Sequence, residues 1–171
     1  LTIPNVISLL RIAAIPLLIY FLFIPGPESR TVAASVYVAL VITDAIDGYL
    51  ARRLNAVSVF GKYLDPLADK ILVIVALIAL VELGVVSSIP VMLIVAREFA
   101  VTAWRITAAT KNVVIAAGWL GKWKTVFQML AVFLLIIRWP YGEAVLWTAV
   151  ALTIISGADY IARSWQKVFE E

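Results

Sequence analysis

The 171-residue chain contains no cysteine and no histidine. The first absence excludes disulfides and thiolate metal sites. The second removes the usual neutral-pH base and the histidine-bearing zinc motifs, so acid–base or metal chemistry has to come from carboxylates. Charge is also scarce. Charged residues make up 15% of the chain, against about a quarter in soluble domains. The net charge of +3 is too small to argue for a nucleic-acid partner. What the chain has instead is apolar sequence: 64% of residues are hydrophobic and the mean hydropathy is +1.03. This composition predicts an all-α integral membrane protein, with no room for a water-soluble domain beside its spans. Residues 1–171 read as a single domain without repeats or linkers. The chain begins at Leu1 rather than Met, so residues are expected to precede it.

A span needs about 20 mostly apolar residues. Six candidates follow in order: Val6–Ile24, Thr31–Arg53, Gly61–Leu83, Ile89–Thr110, Trp119–Ile137 and Glu143–Ala162. Pro25-Gly26-Pro27 closes the first, Gly84–Ser88 reads as a turn, and Trp139–Gly142 has the aromatic character of a membrane interface. Six spans put both termini on one side. Ten of the 14 lysines and arginines fall on that side, Arg11 among them at an interfacial start of the first span; only Arg30 and Arg138 fall opposite. The positive-inside rule then places both termini, and the connection between the second and third spans, towards the cytoplasm.

Against this background four aspartates within 26 residues stand out: Asp44, Asp47, Asp65 and Asp69. Asp44 and Asp47 are three apart and Asp65 and Asp69 four apart, and either spacing puts a pair on one helix face. Asp44 and Asp69 lie at matching distances from the short connection, about 12 Å at 1.5 Å per residue. Asp47 and Asp65 match at shallower depth. All four converge on a polar, cytoplasm-facing cavity just below the headgroups. Four carboxylates repel unless something positive sits between them, and their oxygens suit hard cations such as Mg²⁺, Mn²⁺ or Ca²⁺. Gly48 and Ala51 leave room for a ligand, and Arg52 could fork a phosphate. From the residues alone, a salt-bridge network with Arg52, Arg53, Lys62 and Lys70, or an ion or proton pathway, remain alternatives.

The pattern Asp-x2-Asp-Gly-x2-Ala-Arg-x8-Gly-x3-Asp-x3-Asp, here Asp44, Asp47, Gly48, Ala51, Arg52, Gly61, Asp65 and Asp69, resembles the signature of the CDP-alcohol phosphotransferases, with every spacing kept. The resemblance implies an architecture of six transmembrane helices. It also implies Mg²⁺- or Mn²⁺-dependent transfer, with two ions, of a phosphatidyl or similar group from a CDP-alcohol to a hydroxyl, releasing CMP. By position it implies that Asp44, Asp47 and Asp65 bind metal, and that Asp69 is the general base and also touches metal. Gly48 and Arg52 would contact the CDP moiety, joined by Ser58, Asn5 and Ser8. A homodimer in a bacterial inner membrane is implied as well.

The second half bears on the acceptor. Arg97 and Arg105 lie in the fourth span; Lys122 and Lys124 open the fifth. Such a cluster suits an acceptor carrying its own phosphate. Positive-inside anchoring is the plainer explanation of the two lysines. Arg97 is adjacent to Glu98, and neighbours on a helix are not expected to face each other. Asp159 and Arg163, four apart, are expected to form a structural pair. Ile-Pro-Asn near the start, the Asp-Gly-Tyr-Leu-Ala-Arg-Arg run, Arg97-Glu98-Phe99, and Gly121-Lys-Trp-Lys-Thr with Gln128 are similar to the branch of that family whose donor is CDP-diacylglycerol and whose acceptor is sn-glycerol 3-phosphate. Sibling transferases using inositol phosphate, serine or phosphatidylglycerol are the nearest alternatives, and a cation transporter the more distant one.

Overall fold

The computed structural model describes residues 3–53, 59–111 and 118–169, and side chains over 7–46, 70–111 and 118–165. The described residues form six helices and no strand. They are α1 (Ile3–Phe23), α2 (Pro27–Arg53), α3 (Val59–Glu82), α4 (Ser88–Thr110), α5 (Trp119–Ile136) and α6 (Gly142–Phe169). Each coincides with one expected span. The largest departure is α6, which runs seven residues past Ala162. Charge marks the end of the apolar stretch there but not the end of the helix. Ser164 stays buried, and Trp165 stacks on Trp104 with ring centroids 5.3 Å apart.

The turns are written locally. Gly26 (φ +125°) reverses the chain so that Pro27 can start α2 at the one position where a missing N–H costs nothing. α3 ends in a Schellman motif: Val85 N–H donates to Leu80 O and Gly84 N–H to Val81 O, both at 2.9 Å, with Gly84 at φ +64°. α5 ends in the same motif, but the left-handed position is taken by Arg138 (φ +57°).

Two compact units result, one of residues 1–86 and 132–139, the other of residues 87–131 and 140–171. In the first, α1 packs on α2 and α3. Leu18, Tyr37, Leu72 and Leu77 are buried there, and the fully buried Ala33 and Ala76 let backbones approach. In the second, α4 packs on α6 around Ile94, Leu146 and Ala149. Both units are apolar outside as well: Leu10, Tyr20, Ile78, Phe99 and Ile155 are all more than half exposed. A soluble domain would not show such a surface; lipid is the solvent it fits. In lipid, dispersion and close packing hold helices together, since the tails are as apolar as leucine. Hydroxyls inside the helices close on their own backbone, as Ser35 does on Thr31 O (2.8 Å) and Thr43 on Ala39 O (2.6 Å).

Segments of α2 (Pro27–Ile46), α5 (Trp119–Ile136) and α6 (Gly142–Trp165) are long and apolar enough to cross a membrane. The protein is a membrane protein. The other three expected spans are helical but fall short of that measure among the described residues. The apolar part of α1, Ile7–Phe23, is shorter, and α4 is interrupted by Arg97, Glu98 and Arg105. Only Lys70 onward of α3 has described side chains.

Candidate active site

α2 carries Asp44, Asp47, Gly48, Ala51 and Arg52; α3 carries Gly61, Asp65 and Asp69. Both segments are helical, the backbone on which the spacing argument rests. The side chains of Asn5, Asp47, Arg52, Asp65 and Asp69, the surroundings of Gly48, and Ser58 as a whole, lie outside the described residues, as does the cavity expected around them.

Asp44 is described, and its partner was not foreseen. Arg11 Nη1 lies 2.5 Å from Asp44 Oδ1, with the arginine side chain fully buried and that of the aspartate about a fifth exposed. Arg11, expected near the interfacial start of the first span, thus has a partner inside the protein as well. Arg11 is a buried cation that α1 delivers to the aspartate helix. Burial of a guanidinium in an apolar bundle is tolerable only against an anion, and Asp44 supplies it. Ser8, one turn earlier on the same face, is also fully buried. This arrangement fits a metal site. A carboxylate has about four lone-pair positions, so the bond from Arg11 orients Asp44 and leaves an oxygen for a cation.

The second unit holds a different cluster. Arg97 Nη1 donates to Glu98 Oε1 (3.0 Å) and Nη2 to Ser156 Oγ (3.0 Å). Lys124, from α5, pairs with the same Glu98 oxygen. Arg97 thus does reach its neighbour, contrary to expectation. The fork of a long guanidinium bends around the helix, whereas the facing rule concerns Cβ directions. Gly157 makes this possible, because a Cβ there would stand 2.8 Å from Arg97 Nε. That Nε is buried and makes no hydrogen bond with the described residues. Gln128 Nε2 donates to Thr153 Oγ1 (2.9 Å), tying α5 to α6. Lys122 and Arg105 are exposed, and the Arg105 guanidinium stands 5.6 Å from the centre of the Tyr160 ring. Asp159 and Arg163 pair at 2.7 Å as expected. Glu98, Ser156 and Gly157 were missed as site residues. An intramembrane acid and a Ser-Gly step inside an apolar helix are the signals that could have found them.

Residues 1–155 match the family model described as CDP-alcohol phosphatidyltransferase. The chain belongs to that family. Among its relatives, the CDP-diacylglycerol–glycerol-3-phosphate 3-phosphatidyltransferase of Bacillus subtilis (strain 168) is 41% identical, over 95% of each chain. The protein of the same name from Rickettsia bellii (strain RML369-C) is 42% identical, over 92% of each. A cardiolipin synthase (CMP-forming) of Oryza sativa subsp. japonica is 34% identical, over 91% of this chain and 53% of its own length. Membership makes the protein a transferase. For the CDP-alcohol phosphatidyltransferase motif on α2 and α3, it removes the cation transporter as an alternative.

Proposed function

We propose that the protein transfers the phosphatidyl group of CDP-diacylglycerol to sn-glycerol 3-phosphate, giving phosphatidylglycerol phosphate and CMP. The observation that carries this reading is the full-length similarity to bacterial relatives bearing that activity in their names. The buried cation cluster around Glu98 supports it from the structure. Arg97 and Lys124 share one carboxylate oxygen, and the Arg97 Nε–H has no hydrogen bond with the described residues, so an acceptor phosphate would satisfy it.

The acceptor hydroxyl oxygen forms a bond to the phosphatidyl phosphorus as the bond from that phosphorus to CMP breaks. CMP leaves with the electron pair, and Asp69 takes the hydroxyl proton. Asp44, Asp47, Asp65 and Asp69 would hold two Mg²⁺ or Mn²⁺ ions, whose charge offsets the pyrophosphate and the leaving phosphate. Arg11 fixes the orientation of Asp44 before substrate arrives. Asn5, Ser8, Gly48, Arg52 and Ser58 bind the CDP-lipid. Arg97, Arg105, Lys122 and Lys124 bind the acceptor phosphate, with Arg97 and Lys124 held ready by Glu98. The chain spans the membrane six times as a homodimer in the bacterial inner membrane, with the hairpin and both termini towards the cytoplasm.

The test is CMP release from CDP-diacylglycerol by purified protein with Mg²⁺ and a panel of acceptors. Release only with glycerol 3-phosphate is expected. Release with serine, inositol phosphate or phosphatidylglycerol instead would reassign the acceptor and keep the reaction class.

A further inference from the structure

At the end of the first unit remote from the aspartates, the last turns of α1, α3 and α5 and the first turn of α2 surround a cavity of about 410 Å³. Its floor is apolar, with Leu22, Leu80, Leu83 and Ile136, and its charged lining consists of Arg30 and Arg138. Among the described residues no acid lines it; Glu28 and Glu82 belong to the same helix ends but are exposed outside it. Among the described residues neither arginine forms an ion pair. Arg30 is held by its own turn, Nε donating to Gly26 O at 3.3 Å. Arg138 occupies the left-handed position of the Schellman motif, where glycine is the default and a Cβ is strained. A long cation kept at a strained position is an outlier that asks for a use. Arg30 lies 14 residues before Asp44 on α2, about 21 Å along the helix, so the cavity is not part of the aspartate site.

The surroundings give the level in the bilayer. Tyr20, Phe23 and Trp139 are each about half exposed or more at this end, as in an interfacial aromatic belt. We propose that the cavity binds the headgroup phosphate of an anionic phospholipid of the surrounding bilayer. Arg30 and Arg138 hold the phosphate, and the apolar floor takes the first carbons of the lipid. Two guanidiniums with no acid between them match a phosphodiester. A zwitterionic lipid brings a choline into the same space and gains less.

The experiment uses the whole purified protein in detergent, with unfolding followed by tryptophan fluorescence. Dioleoylphosphatidylglycerol, dioleoylphosphatidylcholine and inorganic phosphate are titrated separately against wild type and the Arg30→Gln/Arg138→Gly double variant. Phosphatidylglycerol is expected to raise the melting temperature of wild type. In the double variant the concentration giving half of that rise is expected to increase about tenfold or more. Phosphatidylcholine and phosphate are expected to do neither. The Arg138→Gly change relieves the left-handed strain, so the variant is expected to fold; if it does not, Arg138→Gln alone is titrated in its place. An unchanged response in the variant places the lipid effect elsewhere, including the aspartate site, and overturns the proposal. An equal response to phosphatidylcholine or to phosphate overturns it too.

Discussion

The aspartate hairpin and the Glu98 cluster handle charge in opposite ways. On α2 and α3 four acids fall within 26 residues, and α1 brings one of them, Asp44, a cation, Arg11. On α4 and α5 two buried cations share one acid. The first region concentrates carboxylates, whose oxygens suit a site that works with bound divalent ions. The second meets its cations with a carboxylate before any ligand arrives, and the spare Arg97 N–H suits one anionic group. A region that recruits its counter-charge can respond to whether the metal is there. A region that carries its own is preorganised. If this contrast is right, damage to the hairpin should stop turnover, and damage to the cluster should weaken one substrate.

The strongest test on the hairpin side is Asp69→Asn. It removes the base while leaving size and shape, so CDP-diacylglycerol should still bind while the turnover number falls by about 10²–10⁴. Equilibrium binding of the CDP-lipid beside single-turnover CMP release measures both. Turnover like that of wild type would take Asp69 out of the base role.

The same contrast explains what the sequence could and could not disclose. The motif of the hairpin is readable in the sequence because it is local: Asp44, Asp47, Gly48 and Arg52 lie on one helix and Asp65 and Asp69 on the next. The six helices were legible for the same reason, with hydropathy marking their middles and Gly or Pro their ends. Arg11 was not, because its role depends on α1 crossing α2 at one particular residue, and a lone arginine near a span start looks like an anchor. The Glu98 cluster was half legible. Arg97 and Lys124 drew attention as charges in apolar sequence. Ser156 and Gly157 come 59 and 60 positions after Arg97, and only the α4–α6 packing brings them together.

Arg11→Met separates the two kinds of charge handling. Without the guanidinium Asp44 loses the cation that pairs with it and is left half-buried. Breaking a fully buried pair costs about 3–5 kcal/mol; with Asp44 a fifth exposed, about 1–3 kcal/mol is the better expectation. The melting temperature in metal-free buffer should fall, and the gain on adding Mg²⁺ should be larger than in wild type, because the ion then meets one more unit of negative charge. An equal Mg²⁺ gain in both proteins would show that Arg11 does not share the metal's field.

Gly157→Ala probes the preorganised side. The new Cβ meets Arg97 Nε at 2.8 Å, so the guanidinium has to shift away from Ser156 while Glu98 and Lys124 stay in place. The expected result is a rise of about tenfold in the KM for the acceptor, roughly one charge-assisted hydrogen bond, with the KM for CDP-diacylglycerol unchanged. Equal rises in both constants would mean that α6 as a whole had moved and that the cluster is structural.

Arg105→Ala should give the smallest effect. Arg105 is exposed and stands over the Tyr160 ring, so its charge is screened and its geometry loosely fixed. A mobile cation at the edge of a site steers and loosely contacts a phosphate, worth less than a buried, hydrogen-bonded one. The KM for glycerol 3-phosphate should rise by a few-fold, and more than that for the CDP-lipid. The rise should shrink as salt is added, whereas that of Gly157→Ala should not, because Arg97 is largely shielded from solvent ions. A larger effect on the CDP-lipid would move Arg105 to the donor side and leave Arg97, Lys122 and Lys124 as the cations with a claim on the acceptor.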